Sequence, residues 1–279
     1  MPELPEVEIA SRNLRAWALG RRIERAEVEA SARRIVRPEL PGAFAGALAG
    51  RRVAEVRRLG KQILIRLEGP ASGAEPLGLL SHLGMTGKWL RRAAGEEPPS
   101  HSRARIHLDG GATLHYRDPR LFGRLRLVPG ARFEEVPEVA ALGPDPLLDG
   151  IDVERLSAAL ARRRTPVKTA LLDQALLPGV GNIQASEALF RARIDPRRES
   201  SSLTRAEVRR IAQAVLASVH EIIAREGGPE ITYVEEPGAA NPFLVYGREG
   251  ERCPRCRREP IRRLVQAQRS TYHCPRCQR

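Results

Sequence analysis

The chain has 279 residues, of which 42% are hydrophobic, and 47 Lys and Arg against 34 Asp and Glu give a formal net charge of +13. That length can bury a sizeable core in more than one domain, and the charge points to a polyanionic partner, nucleic acid ahead of an anionic membrane surface. No apolar run approaches the ~18 residues of a bilayer span, and a start made of acids and prolines is no signal peptide, so a cytoplasmic protein with no membrane partner is expected.

The first eight residues read Met1-Pro2-Glu3-Leu4-Pro5-Glu6-Val7-Glu8. Removal of Met1 ahead of a small residue would leave Pro2 with a secondary amine. Free α-amines titrate near ~7.7–8, so a useful fraction is unprotonated at neutral pH. Glu3 and Glu6 are close enough in sequence to exchange protons with it. The plainer reading is a helix start, with proline in the first turn and acids at the positive end of the dipole. A helix is expected over residues 5–19, where Val7, Ala10, Leu14, Trp17 and Ala18 share one face and Gly20 ends the run.

Residues 21–130 read as mostly β. Short apolar runs at Val53–Val56, Ile63–Leu67, Leu77–Leu83, Ala104–Leu108, Thr113–Tyr116 and Leu125–Val128 are separated by turn residues, and Asp109-Gly110-Gly111 is a hairpin signal. Many short strands of this kind suggest a sandwich or barrel, and 91–102 reads as an exposed loop. From about 131 the periodicity turns helical, over 152–163, 166–176, 182–192 and 204–226. Asp152 and Thr204 are plausible N-caps, the latter with Glu207 in a capping box. Residues 229–242 read as a loop. The fold class expected is α+β: an N-terminal helix and β-sandwich domain (1–130), a helical domain (131–242) and a small C-terminal module (243–279).

Only three lysines occur, Lys61, Lys88 and Lys168. Where arginine has otherwise displaced lysine, each survivor is a candidate for a role that needs an amine, chance survival being the alternative. All four cysteines lie in the tail, as Cys253-Pro-Arg-Cys256 and Cys274-Pro-Arg-Cys277. This spacing suits a four-cysteine zinc ribbon around one structural Zn2+ with no open coordination position. A redox dithiol would want one such pair beside a βαβ unit, which is missing. An arginine-studded hairpin runs between the knuckles, and Arg269 on its return arm is the leading candidate there for contact with a phosphate or base edge.

Leu177-Pro178-Gly179-Val180-Gly181-Asn182-Ile183-Gln184-Ala185-Ser186-Glu187 places Asn182 at a new helix start after a Gly-Val-Gly turn. Amides at such a start form a ready phosphate site, and Lys168 could join it.

Four separated blocks now coincide: Pro2–Glu8, Gly60-Lys61-Gln62, Pro178–Glu187, and the four cysteines with Gln268-Arg269-Ser270-Thr271. Together they resemble the formamidopyrimidine-DNA glycosylase/endonuclease VIII family, and the opening Pro-Glu-Leu-Pro-Glu favours the formamidopyrimidine (Fpg) branch. The resemblance implies a helix–two-turn–helix motif over Pro178–Glu187 and a bifunctional DNA glycosylase/AP lyase of base excision repair. Such an enzyme acts as a monomer on double-stranded DNA with an oxidised or abasic site, in a bacterial cytoplasm alongside the nucleoid. It implies that Pro2 attacks C1′ and forms a Schiff base, that Glu3 acts as acid/base on the sugar, and that Glu6 and Lys61 support the amine, sugar and phosphate. Arg269, Lys168 and Asn182 would clamp phosphates, and His82 and His101 would add DNA contacts. Because the target base must be flipped out, Met85, Arg120 and Phe122 would fill the gap; core packing is the alternative for Met85 and Phe122.

Three departures matter. Gln184 stands where relatives often have tyrosine near the extruded nucleotide. The loop from Gly227 to Val245 looks short, which bears on 8-oxoguanine recognition and not on Schiff-base chemistry. Leu121 replaces a frequent basic residue, with little effect expected. The competing readings are an endonuclease VIII-like enzyme for oxidised pyrimidines and a non-catalytic damaged-DNA binder, whose mark would be loss of Pro2, Glu3 or Lys61.

Overall fold

The computed structural model of the chain describes every residue except Met1, Ser72, Glu235 and Pro237. The expectation about Met1, and part of the 229–242 loop, fall outside the described residues. Two compact units emerge, one comprising Pro2, Glu6–Ala140 and Glu226–Ile231, the other Glu3–Pro5, Ala141–Arg225 and Thr232–Arg279.

From Glu6 onward α1 (Leu4–Ala18) belongs to the first unit, and its Val7, Ala10, Leu14 and Ala18 are buried at helical spacing. Gly20 ends it at φ +78 and donates its N–H to Val53 O. Eight strands follow: β1 (Ile23–Val28), β2 (Arg52–Leu59), β3 (Gln62–Glu68), β4 (Leu77–His82), β5 (Lys88–Arg92), β6 (Ser102–Leu108), β7 (Thr113–Arg117) and β8 (Arg124–Pro129). They form two antiparallel four-stranded sheets, ordered β2-β3-β4-β8 and β1-β6-β7-β5. Ser102–Leu108 alternates buried and half-buried residues, as a strand with one face on the core does. Across the sandwich, Trp89 Nε1 donates to Ser81 Oγ (3.0 Å), Tyr116 donates its hydroxyl proton to His82 O (3.0 Å), and the two rings meet edge to face at 5.1 Å. These bonds satisfy the polar ends of aromatics buried between the sheets.

A short α2 (Pro41–Leu48) interrupts the stretch read as β. It carries little periodicity, with two glycines among small residues, and buries only Phe44 and Leu48. Beyond β8, Phe133 and Val136 in the segment before α3 (Pro137–Ala140) and Val139 on it pack against Leu64, Leu80 and Val128 of the sheet.

The second unit holds α4 (Val153–Ala161), α5 (Val167–Ala170), α6 (Asn182–Ala192), α7 (Arg205–Glu226) and a hairpin of β9 (Arg262–Gln266) and β10 (Arg269–His273). Asp152 Oδ1 accepts from the N–H groups of Glu154 and Arg155. Thr204 and Glu207 form the reciprocal capping box, at 2.8 and 3.3 Å. The helix expected over 166–176 is α5 alone. Beyond it Asp173 Oδ1 accepts from Ala175 N, and Gln174 binds both Gly179 N and Val180 O, so side chains replace helical partners and turn the chain.

Candidate active site and metal centre

In the second unit, the start of α6 organises a polar cluster. The amides expected to meet a phosphate are already occupied: Glu3 accepts N–H bonds from Gly181 (3.1 Å), Ile183 (2.9 Å) and Gln184 (2.9 Å). An internal carboxylate has taken the place read as an anion site, which its charge and the helix dipole favour equally. The fit requires glycine at 181, because a Cβ there would lie 2.3 Å from Glu3 Oε1. Leu4 N donates to Gly179 O (3.0 Å), so both residues that follow Pro2 are fixed. Glu3 is 1% exposed, and deleting its carboxylate would strand buried N–H groups at about 1–3 kcal/mol each.

Lys168, fully buried, donates through Nζ to Asn182 Oδ1, and Asn182 Nδ2 donates to Ser270 O on β10 (2.9 Å). This chain joins α5, α6 and the hairpin, and brings together the predicted Lys168, Asn182 and Arg269. Burial pushes the Lys168 amine down to about 8, helped by repulsion from Arg269 and opposed by Glu3. Arg269 opens the return arm after a two-residue turn, Ala267-Gln268, with φ +45 and +60.

In the first unit, Pro2 and Glu6 are buried and Lys61 half-buried. His82 lies at the end of β4. Its Nδ1 accepts from Gly84 N (3.0 Å), which leaves the ring proton on Nε2. Burial, with Lys61 and Arg124 nearby, lowers its pKa to about 4, which keeps the ring neutral near pH 7. Met85 and Phe122 are 40% and 44% exposed, which removes core packing as their explanation. The Arg120 guanidinium stacks on the Phe122 ring at 4.7 Å.

The turns bearing these residues are held by groups that sequence reading passed over. Asp118, fully buried, accepts from Thr86 Oγ1 (2.6 Å), Arg120 N (3.2 Å) and Gly123 N (2.8 Å). Its own N–H goes to His101 O (3.0 Å), where His101 takes φ +60. One residue therefore ties together these turns, its carboxylate holding those of Met85, Arg120 and Phe122 and its backbone N–H that of His101. Gly84, at φ +63, lets these backbones touch, since a Cβ would sit 2.5 Å from Phe122 O. Arg34 donates to Leu121 O (2.6 Å) and Arg120 O (2.9 Å), bracing Leu121 at φ +56. Only Asp118 left a sequence signal: an Asp two residues before Arg120 is a common side-chain-to-backbone turn.

The four cysteine sulfurs lie within 4.8 Å of one another, with Cys253–Cys277 and Cys256–Cys274 each 3.8 Å apart. A tetrahedron with Zn–S bonds of about 2.3 Å has edges of about 3.8 Å, so the thiolates fit one zinc ion with no open position. The module is welded to α6: Cys253, Cys274 and Ile261 pack on Phe190, and Gln278 bridges Cys274 N and Ile194 O. Gln184 on α6 is fully buried, and neither carboxamide atom finds a partner among the described residues. Glu187 accepts the amides of Leu244, Val245 and Tyr246, anchoring the segment ahead of the finger.

Three family models match in chain order. They are the formamidopyrimidine-DNA glycosylase N-terminal domain over residues 1–125, the formamidopyrimidine-DNA glycosylase H2TH domain over 142–232, and the zinc finger found in FPG and IleRS over 250–279. The chain is 42% identical to formamidopyrimidine-DNA glycosylase from Rhodospirillum centenum, with all of both chains covered. It is 41% identical to that of Thermus thermophilus, covering all of this chain and 98% of the relative. The crystal structure of the Thermus thermophilus MutM (Fpg) protein superposes with a TM-score of 0.80 at 40% identity, over 99% of this chain and 98% of that one. Lactococcus lactis Fpg, solved with abasic-site-containing DNA, gives 0.84 at 26% identity over 99% of each. The chain belongs to the formamidopyrimidine-DNA glycosylase family.

Proposed function

We propose that this chain excises oxidised bases, formamidopyrimidines first, from double-stranded DNA and then cleaves the abasic site by β- and δ-elimination. The Pro2 nitrogen attacks C1′ and the base departs. Opening of the sugar, with Glu3 moving a proton at the ring oxygen, leaves an iminium that acidifies the C2′ proton. Its loss expels the 3′-phosphate, and a second elimination expels the 5′-phosphate. Glu6 supports the amine and Lys61 the sugar and phosphate. Lys168, Asn182 and Arg269 hold phosphates as charge-assisted donors, with His82 and His101 as further contacts. Met85, Arg120 and Phe122 occupy the space of the flipped nucleotide. The zinc staples the hairpin that presents Arg269. The protein works as a monomer in the cytoplasm. Among the described residues no helix is long and apolar enough to cross a membrane.

The observation that carries this reading is the anchoring of Glu3 and Leu4, which fixes the peptide after Pro2 and so preorganises a nucleophile. Borohydride reduction during reaction with abasic-site DNA should cross-link the N-terminal peptide. No adduct, or one on Lys61 alone, overturns the assignment. Gln184 is the ground for a second reading of the lesion, oxidised pyrimidines: a buried carboxamide without partners among the described residues stands where relatives often have tyrosine near the extruded nucleotide. Duplexes carrying single formamidopyrimidine, 8-oxoguanine, thymine glycol or dihydrouracil lesions decide between the two.

A further inference from the structure

β2 and β3 are joined by two residues, Gly60 and Lys61, since Leu59 pairs directly with Gln62. Gly60 takes φ +56, the conformation required of the first residue in a type II′ hairpin turn. In so tight a turn, the orientation of the Gly60 carbonyl sets where the Lys61 side chain departs.

That carbonyl is held by Arg58. Its Nη1 donates to Gly60 O (3.1 Å), and its Nε donates to Glu8 Oε2 (2.8 Å). Glu8 lies on α1, the helix that begins two residues after Pro2, and its other oxygen accepts from Arg12 Nε (2.7 Å). The Arg58 side chain is 1% exposed and that of Glu8 13%. Burial pushes the Glu8 carboxyl up, but Arg58 and Arg12 together outweigh it and hold the group below the usual carboxylate range.

Exposed ion pairs contribute little, and a buried pair is seldom worth more than well-packed apolar side chains of the same volume. Stability alone therefore does not call for arginine at 58. What guanidinium adds is a rigid planar fork that fixes two acceptors at once. Lysine, a point charge on a flexible stem, has no such fork. Here the two acceptors belong to the helix that follows Pro2 and to the turn that carries Lys61.

We infer that Arg58, braced on Glu8, is a positioning residue that sets Lys61 relative to Pro2 for the chemical steps. The inference rests on the roles proposed above for Pro2 and Lys61. It is tested with the full-length protein on a duplex containing a preformed abasic site, following single-turnover strand cleavage and borohydride trapping. Affinity is measured separately on a tetrahydrofuran duplex, and thermal melting monitors the fold. Arg58→Lys should slow both reactions by about tenfold or more, the scale of an ångström-level misplacement, with Kd unchanged within about twofold. Arg58→Lys combined with Lys61→Ala should be no slower than Lys61→Ala alone, because misplacing an absent amine has no effect. A wild-type rate for Arg58→Lys, or an equal further loss in the double variant, overturns the inference. If Arg58→Lys fails to fold, Glu8→Gln releases the same brace with nearly unchanged shape and carries the same expectations. Absence of any trapped adduct in the wild-type protein would instead refute the proposed function. A wild-type rate for Lys61→Ala removes the role of Lys61, and this inference with it.

Discussion

Thr86 Oγ1 donates a 2.6 Å hydrogen bond to Asp118 Oδ1, and through that bond the turn bearing Met85 is tied to the turn bearing Arg120 and Phe122. The side chains proposed to fill a gap in the duplex thus share one buried carboxylate. Asp118→Ala should lower base excision by about tenfold or more and also lower the melting temperature, each stranded donor costing about 1–3 kcal/mol. Phe122→Ala should impair excision with little change in melting, since the ring is 44% exposed. For Phe122→Ala, cleavage of a preformed abasic site should be affected less than excision. Equal loss on both substrates would reject the gap-filling role.

Lys168 carries the clearest pH signature. Burial, then Arg269, lower its pKa to about 8, well below the ~10.4 of an unfolded chain. Affinity for a tetrahydrofuran duplex should weaken as pH rises through about 8 and the ammonium is lost. Lys168→Gln should bind weakly with a flat profile over that range. The stability effect has the opposite sense: between about 8 and ~10.4 the unfolded state binds more protons, so stability should rise with pH. A wild-type binding curve identical to that of Lys168→Gln would refute the contact.

Acid should weaken the first unit in a defined window. His82 and His115 both have pKa values lowered to about 4, chiefly by burial, then by nearby cations. In the unfolded chain they titrate near ~6.5. The depressed values mean that stability is intact above ~6.5 and is lost as pH falls toward about 4. Melting temperatures should drop across that interval, and His115→Gln should reduce the drop. A melting temperature independent of pH over the window would contradict this.

Removing zinc should disarm the hairpin and leave the helices. Chelation should release one zinc per chain and cost DNA affinity about tenfold or more, the worth of a charge-assisted hydrogen bond of ~1.5 kcal/mol. Most of the far-ultraviolet helical signal should persist, because α4 and α7 carry N-caps and the start of α6 is held by Glu3, all outside the zinc module. Undiminished binding after zinc loss would break the link between the finger and Arg269.

Periodicity and spacing made the α+β class, the strands and the cysteine cluster legible, because each leaves a local record: alternation along Ser102–Leu108, a capping box at Thr204, paired thiols two residues apart. The short α2 left none. The helix start at Asn182 was correctly located, but its occupant came from Glu3, far away in sequence, and no local pattern encodes such a pairing. The same holds for Asp118 with Thr86, Arg34 with Leu121, and Arg58 with Glu8. Each joins segments through one polar side chain whose partner only the fold reveals.

The Glu3 carboxylate on the amides of Gly181, Ile183 and Gln184 also has a consequence in time. During synthesis the third residue leaves the ribosome long before its anchor exists. The peptide beside Pro2 gains its fixed position only once residue 184 has emerged and α6 has formed. A prematurely terminated chain ending before that point carries Pro2 with Glu3 and Leu4 unanchored. Assembly order thus delays the fixing of Glu3 and Leu4, the peptide that follows the proposed nucleophile, until residues 179–184 have been made.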